Sequence, residues 1–216
     1  MQERDFALLW ASLLTNGLAS QMLAVAIGWQ VYSIHRDPFD LGLVGLMEFV
    51  PLPVLALPAG QIADRLPRRA VTAVSYVVAI GIAVALVFVT LAGARVLWPY
   101  LVLAAVTGVA NVVGNPAARA MTPELVPAEL IPGALALRGV AGQIGVIAGP
   151  ALGGVVFAVE PVAVYIASAA LFAASLAAIL AMGRPRARSS RPRLRAGTAS
   201  SPASASSCAR GCCSAR

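Results

Sequence analysis

Charge is scarce in this sequence. Only 12% of its 216 residues are charged, against roughly a quarter in an ordinary soluble domain. With 59% hydrophobic residues and a mean hydropathy of +0.83, a fold in water would leave more apolar surface than a chain this size can bury. Lipid is the better solvent. Cysteine is scarce too: Cys208, Cys212 and Cys213 are the only three, all near the end of the chain. A reduced cytoplasmic tail does not favour disulfides there, and without a neighbouring histidine the spacing is a poor metal site. No H-E-x-x-H, nucleophile elbow or P-loop occurs, so neither ATP hydrolysis nor acyl transfer has a candidate site, and no enzyme activity or cofactor is expected. The first apolar segment is far longer than the core of a secretory signal, and no clean cleavage site follows it. The net charge of +7 does not indicate a nucleic-acid partner. Eight of the 16 arginines lie in Arg184 to Arg216 without one acidic residue, and the others sit in short loops rather than as a stripe on a fold.

What is there is a succession of long apolar runs. Residues 6 to 35 contain no Asp, Glu, Lys or Arg, and the first span is expected at about Leu8 to Tyr32. Asn16, Gln21 and Gln30 lie inside it. Such amides are costly in hydrocarbon and should face neighbouring helices or a water-filled cavity. After a polar turn, Arg36 to Asp40, the second span runs from Leu41 to Ala63 with Pro51, Pro53 and Pro58, which should bend it. Glu48 is the one acidic residue well inside a span, about seven residues and roughly 10 Å from its outer end. The third span is Ala70 to Leu91 and the fourth about Trp98 to Ala118, with Trp98 and Tyr100 as interfacial anchors. The fourth becomes polar at its end, with Asn111, Asn115 and Pro116. Thr122-Pro123-Glu124 reads as the start of a short interfacial helix, broken at Pro127 or Pro132. The fifth span, Gly139 to Ala158, is glycine-rich. The sixth runs from Val162 to Met182.

Arginine placement gives the orientation. With the first residue inside, the inner segments hold 14 arginines and the outer ones only Arg36 and Arg95. Both termini are therefore expected in the cytoplasm, and the chain in the inner or plasma membrane as a multi-pass protein. The expected organisation is all-α: a bundle of six transmembrane helices over residues 1 to 183, then a disordered basic tail over 184 to 216. The tail's Arg/Ala/Ser/Pro composition also fits a wrong-frame reading of a GC-rich gene. The lipid bilayer is the first partner implied.

Two motifs add to this. Gly60-x-x-Ala63-Asp64-Arg65-x-x-Arg68-Arg69, between spans two and three, is a knot of charge in which Asp64 can pair with Arg68 or Arg69. Gly145-x3-Gly149-Pro150-x2-Gly153-Gly154 strips side chains from a face of span five, where a neighbour can come close, and Pro150 removes a backbone donor. Together they resemble the signatures of the major facilitator superfamily. The first has Pro67 where that pattern usually has glycine, and the second matches the antiporter motif at every defined position. Phe6-Ala7-Leu8-Leu9-Trp10 and the Asp64 to Arg69 run look most like its drug and siderophore exporters. The resemblance implies an N-terminal six-helix half of a twelve-helix transporter, with a small-molecule substrate, an ion gradient as energy source and a second six-helix half as partner. In such a protein Asp64 would brace the opposite half. The glycine face of span five is then expected to lack a partner helix in this chain. Glu48 is the candidate for proton or substrate contact, with Asn16, Gln21 and Asn111 beside it in the same role.

Overall fold

No proline falls between Gln2 and His35, and these 34 residues form a single helix, α1. At 1.5 Å per residue it is about 50 Å long, so it overruns a hydrocarbon core of about 30 Å at both ends. The computed structural model describes residues 2–55, 67–93 and 96–182, all within one compact unit, Met1–Arg184. Gly60, Asp64 and Arg65, and the tail from residue 184, lie outside the described residues. The turn after α1 is shorter than the polar stretch suggests. Arg36 takes a positive φ of 54°, and Asp37 caps the next helix by accepting from the Phe39 N–H at 2.9 Å. Pro38 follows in the first turn, where its missing N–H costs nothing.

That next helix, α2, is Pro38–Phe49. Val50 keeps helical dihedrals and bonds the Leu46 carbonyl, but the ladder is interrupted next, where Pro51 cannot donate to the carbonyl four residues earlier, and helix continues over 51–55. The remaining long helices are α3 (Arg68–Leu91), α4 (Trp98–Leu125), α5 (Ile131–Val159) and α6 (Pro161–Ala181). Among the described residues six helices, counting Pro38–Leu55 as one, are long and apolar enough to cross a membrane. The expected interfacial helix does not form. α4 runs on through Thr122 and Pro123, a 3-10 turn covers Ala128–Leu130, and α5 has already begun at Ile131. Thr122 is no cap: its hydroxyl is buried without a partner among the described residues. Pro132 stands in the first turn of α5, where proline opens a helix rather than breaking it.

α1 is the hub. It packs on α2, α4, α5 and α6 and is hydrogen-bonded to α3 through Ser12 to Tyr76 and Gln30 to Thr90. The pairing order gives the directions. Positions 12 and 30 of α1 meet 76 and 90 of α3, so those two run parallel. Positions 15 and 30 meet Ser175 and Tyr165 of α6, so those run antiparallel. The main core draws on α1 (Met22, Ala26, Val31), α3 (Ile82, Leu86), α4 (Tyr100, Ala104) and α6 (Val164, Tyr165, Phe172). A helix apolar on most sides, as α1 is, belongs at the centre of a bundle.

Candidate functional site

Polar side chains from five helices meet in one cavity of about 110 Å³. Asn16 and Ser20 come from α1, Glu48 from α2, Tyr76 from α3, Asn111 and Asn115 from α4, and Arg138 from α5. A wider groove of about 680 Å³ lies between α2 and α4 and shares Glu48, Asn111 and Asn115 with the cavity. These three residues therefore stand in a wall common to both spaces. Of the four residues expected to contact proton or substrate, the fold brings together Glu48, Asn16 and Asn111 and leaves out Gln21. Glu48 is deeper than the sequence suggests. Its helix starts at Pro38 rather than Leu41, which puts it about 15 Å along the span instead of 10 Å.

The height of Glu48 is fixed by backbone rather than side chain. Gly108 of α4 is buried, and a Cβ there would collide with the Glu48 carbonyl oxygen and come 3.1 Å from Pro51 Cγ. Only glycine lets the interrupted part of α2 approach α4 this closely. Gly108→Val is expected to push α2 outward and to lower thermal stability by about 1–3 kcal/mol, the usual cost of overpacking. Thermal unfolding followed by size exclusion would show it, and an unchanged midpoint would refute the close approach.

The glycine motif of α5 has a partner in this bundle, contrary to expectation. Gly145, Gly149 and Gly153, spaced four apart, are buried and face α1. A Cβ at Gly145 would lie 3.0 Å from the Gly17 carbonyl carbon, at Gly149 2.5 Å from Gln21 Cβ, and at Gly153 3.0 Å from Met22 Cα. The seam explains Gln21, which packs against α5 instead of lining the cavity. Gly154 has nothing within 4 Å, so the motif's last glycine belongs to another face. Pro150 lies within an uninterrupted helix.

The arginines of the charged loop also have partners the sequence does not reveal. Arg68 Nη1 donates to the Ala120 carbonyl at 3.0 Å, and Arg69 Nη2 to the Leu180 carbonyl at 2.7 Å. Leu180 lies in the last turn of α6, where carbonyls lack helical donors and the helix dipole favours a cation; Ala120 lies five residues before the end of α4. Whether Asp64 pairs with either concerns residues outside the described ones. At the other end of the bundle Gln30 joins three helices, donating to Thr90 at 3.1 Å and accepting from the Tyr165 hydroxyl at 2.7 Å. It serves helix association and does not line the cavity.

Arg138 and Asn115 are cavity residues that sequence reasoning missed. Arg138 reads as a loop arginine only while α5 is thought to begin at Gly139. Had Pro132 been taken as a helix opener, Arg138 would have stood out as a charge inside an apolar helix. Asn115 needed only the four-residue spacing from Asn111, which puts both on one face of α4.

A family model of the major facilitator superfamily, described as transmembrane secretion effector, matches residues 1–204. No curated protein matches the chain.

Proposed function

Because this chain belongs to the transmembrane secretion effector family of the major facilitator superfamily, we propose that its cavity serves proton-coupled efflux of small amphipathic molecules, of the kind drugs and siderophores represent. The family makes it a multi-pass membrane protein of the transporter type. The observation that carries the finer reading is Glu48: among the described residues it is the only carboxylate well inside a span, and it stands in the wall shared by cavity and groove. A carboxylate at that depth can take up and release a proton where the cavity admits water. The arginine distribution supports a cytoplasmic position for both ends of the bundle.

The outer faces of α2 and α5 are apolar and exposed, with Phe49 60% and Ile147 73% accessible. They favour a second reading in which the bundle transports only when joined to another six-helix half, since alternating access needs a body to rock against. The test has two arms. Everted vesicles from cells producing the complete gene product should accumulate an amphipathic dye when acidified inside, and lose it on addition of a protonophore. Accumulation equal to that of vesicles lacking the protein would refute efflux. Liposomes holding residues 1–216 alone should show no flux, and robust flux there would refute the need for a second half.

A further inference from the structure

α5 begins at Ile131, so Arg138 stands about 10 Å along it, half-buried, in the wall of the cavity. Its one hydrogen bond among the described residues goes to the backbone of another arginine. Pro123 has no N–H, so the carbonyl of Arg119 four residues earlier loses its helical donor, and Arg138 Nη1 lies 3.5 Å from that oxygen. Among the described residues neither Arg119 nor Arg138 is paired with a carboxylate. A guanidinium carries five N–H donors, and a half-buried one is costly when they go unmet. The carboxamides of Asn16, Asn111 and Asn115 in the same wall also lack hydrogen-bond partners among the described residues. Farther along α1 the lining turns apolar, with Leu23, Ile27, Val44 and Phe172.

We infer that this cavity and the groove sharing its wall take an amphipathic organic anion, its acidic group held by Arg138 with Arg119 on the groove side, and its apolar body lying on Ile27, Val44 and Phe172. The inference deepens the efflux reading by giving the substrate a charge, and it rests on that reading only for the step from binding to transport. The planar fork of arginine matches a carboxylate with two parallel hydrogen bonds, which a neutral ligand does not supply. Glu48 in the same wall repels a second acid, so the anionic group belongs at the Arg138 end.

Trp10 gives a reporter, because its Nε1 donates to the Leu137 carbonyl at 2.9 Å, one residue before Arg138. The full chain, with Trp29 and Trp98 replaced by phenylalanine, is placed in phosphatidylcholine nanodiscs and titrated with dansylglycine, dansylamide and dansylcadaverine. Energy transfer from Trp10 reads binding. Dansylglycine should bind at least about tenfold tighter than dansylamide, the size of one charge-assisted pair. Arg138→Gln should abolish that preference without changing dansylamide affinity, and Arg138→Lys should restore part of it. Equal binding of the two, a preference for dansylcadaverine, or equal weakening of both by Arg138→Gln would overturn the proposal. So would loss of the preference in nanodiscs containing phosphatidylglycerol, which would reassign the arginines to a lipid headgroup. Binding is read without flux. A chain that prefers dansylglycine but does not transport therefore refutes efflux alone, and transport without the preference refutes this proposal alone.

Discussion

Glutamine in place of Glu48 is expected to reduce proton-driven efflux by at least about tenfold, a barrier change of about 1.4 kcal/mol, while the amount of protein in the membrane stays unchanged. The carboxamide keeps the size and hydrogen-bonding reach of the carboxyl group but cannot bind and release a proton. No other carboxylate is placed to take over. Asp5 and Asp40 lie close to helix starts, and the spans of α3 to α6 contain none. Abundance should hold because no ion pair or hydrogen bond of the Glu48 side chain is lost among the described residues, and the local backbone geometry depends on Gly108. Dye flux in acidified everted vesicles, normalised to immunoblot, measures both quantities. Unchanged efflux would reduce Glu48 to a residue that keeps the cavity wet.

The second large effect is expected at Gly149. Alanine there sets a methyl carbon 2.5 Å from Gln21 Cβ, far inside the roughly 3.5 Å at which carbons touch favourably. α1 and α5 must separate, and a loss of about 1–3 kcal/mol follows. Alanine at Gly154 meets nothing within 4 Å and should leave stability unaltered. Both glycines sit in one motif, so the pair separates close packing from motif membership. Thermal unfolding of the two variants in the same detergent is the measurement. A destabilised Gly154→Ala beside an unaffected Gly149→Ala would show that the seam has been assigned to the wrong face.

The number and order of the helices were legible because a bilayer demands long apolar runs, and six such runs are plain in the sequence. Their ends were not. Thr122-Pro123-Glu124 carries the signals of a helix start, yet α4 continues through it, and the Arg119 carbonyl left without a donor by Pro123 finds Arg138 nearby. That compensation comes from a residue on another helix, which local pattern does not reveal. Glu48, Asn16 and Asn111, grouped by the cost of polar groups in lipid, line one cavity. Gln21 did not belong with them, and helical geometry could have said so. Five residues from Asn16 is a rotation of about 140° around the helix, too far for both to face one cavity. The partner of the glycine seam was out of reach, since spacing tells which face is bare and not which helix covers it.

The hub position of α1 also bears on how the protein is made. α1 leaves the ribosome before the other five helices, but Trp10 finds its acceptor 127 residues later and Thr15 its hydroxyl partner on α6 160 residues later. Gln30 can reach Thr90 once α3 has entered, but Gln21 stays uncovered until α5 arrives, a state hydrocarbon disfavours. α1 is therefore seated in stages, and its largest contacts, with α5 and α6, come last. Assembly closes around it only when α5 and α6 have entered the bilayer, so a nascent chain halted after α4 displays the bare α5-facing side of α1, with the Gln21 amide on it. Such a helix is a chemical mark of unfinished synthesis, open to the chaperones and proteases that survey the membrane.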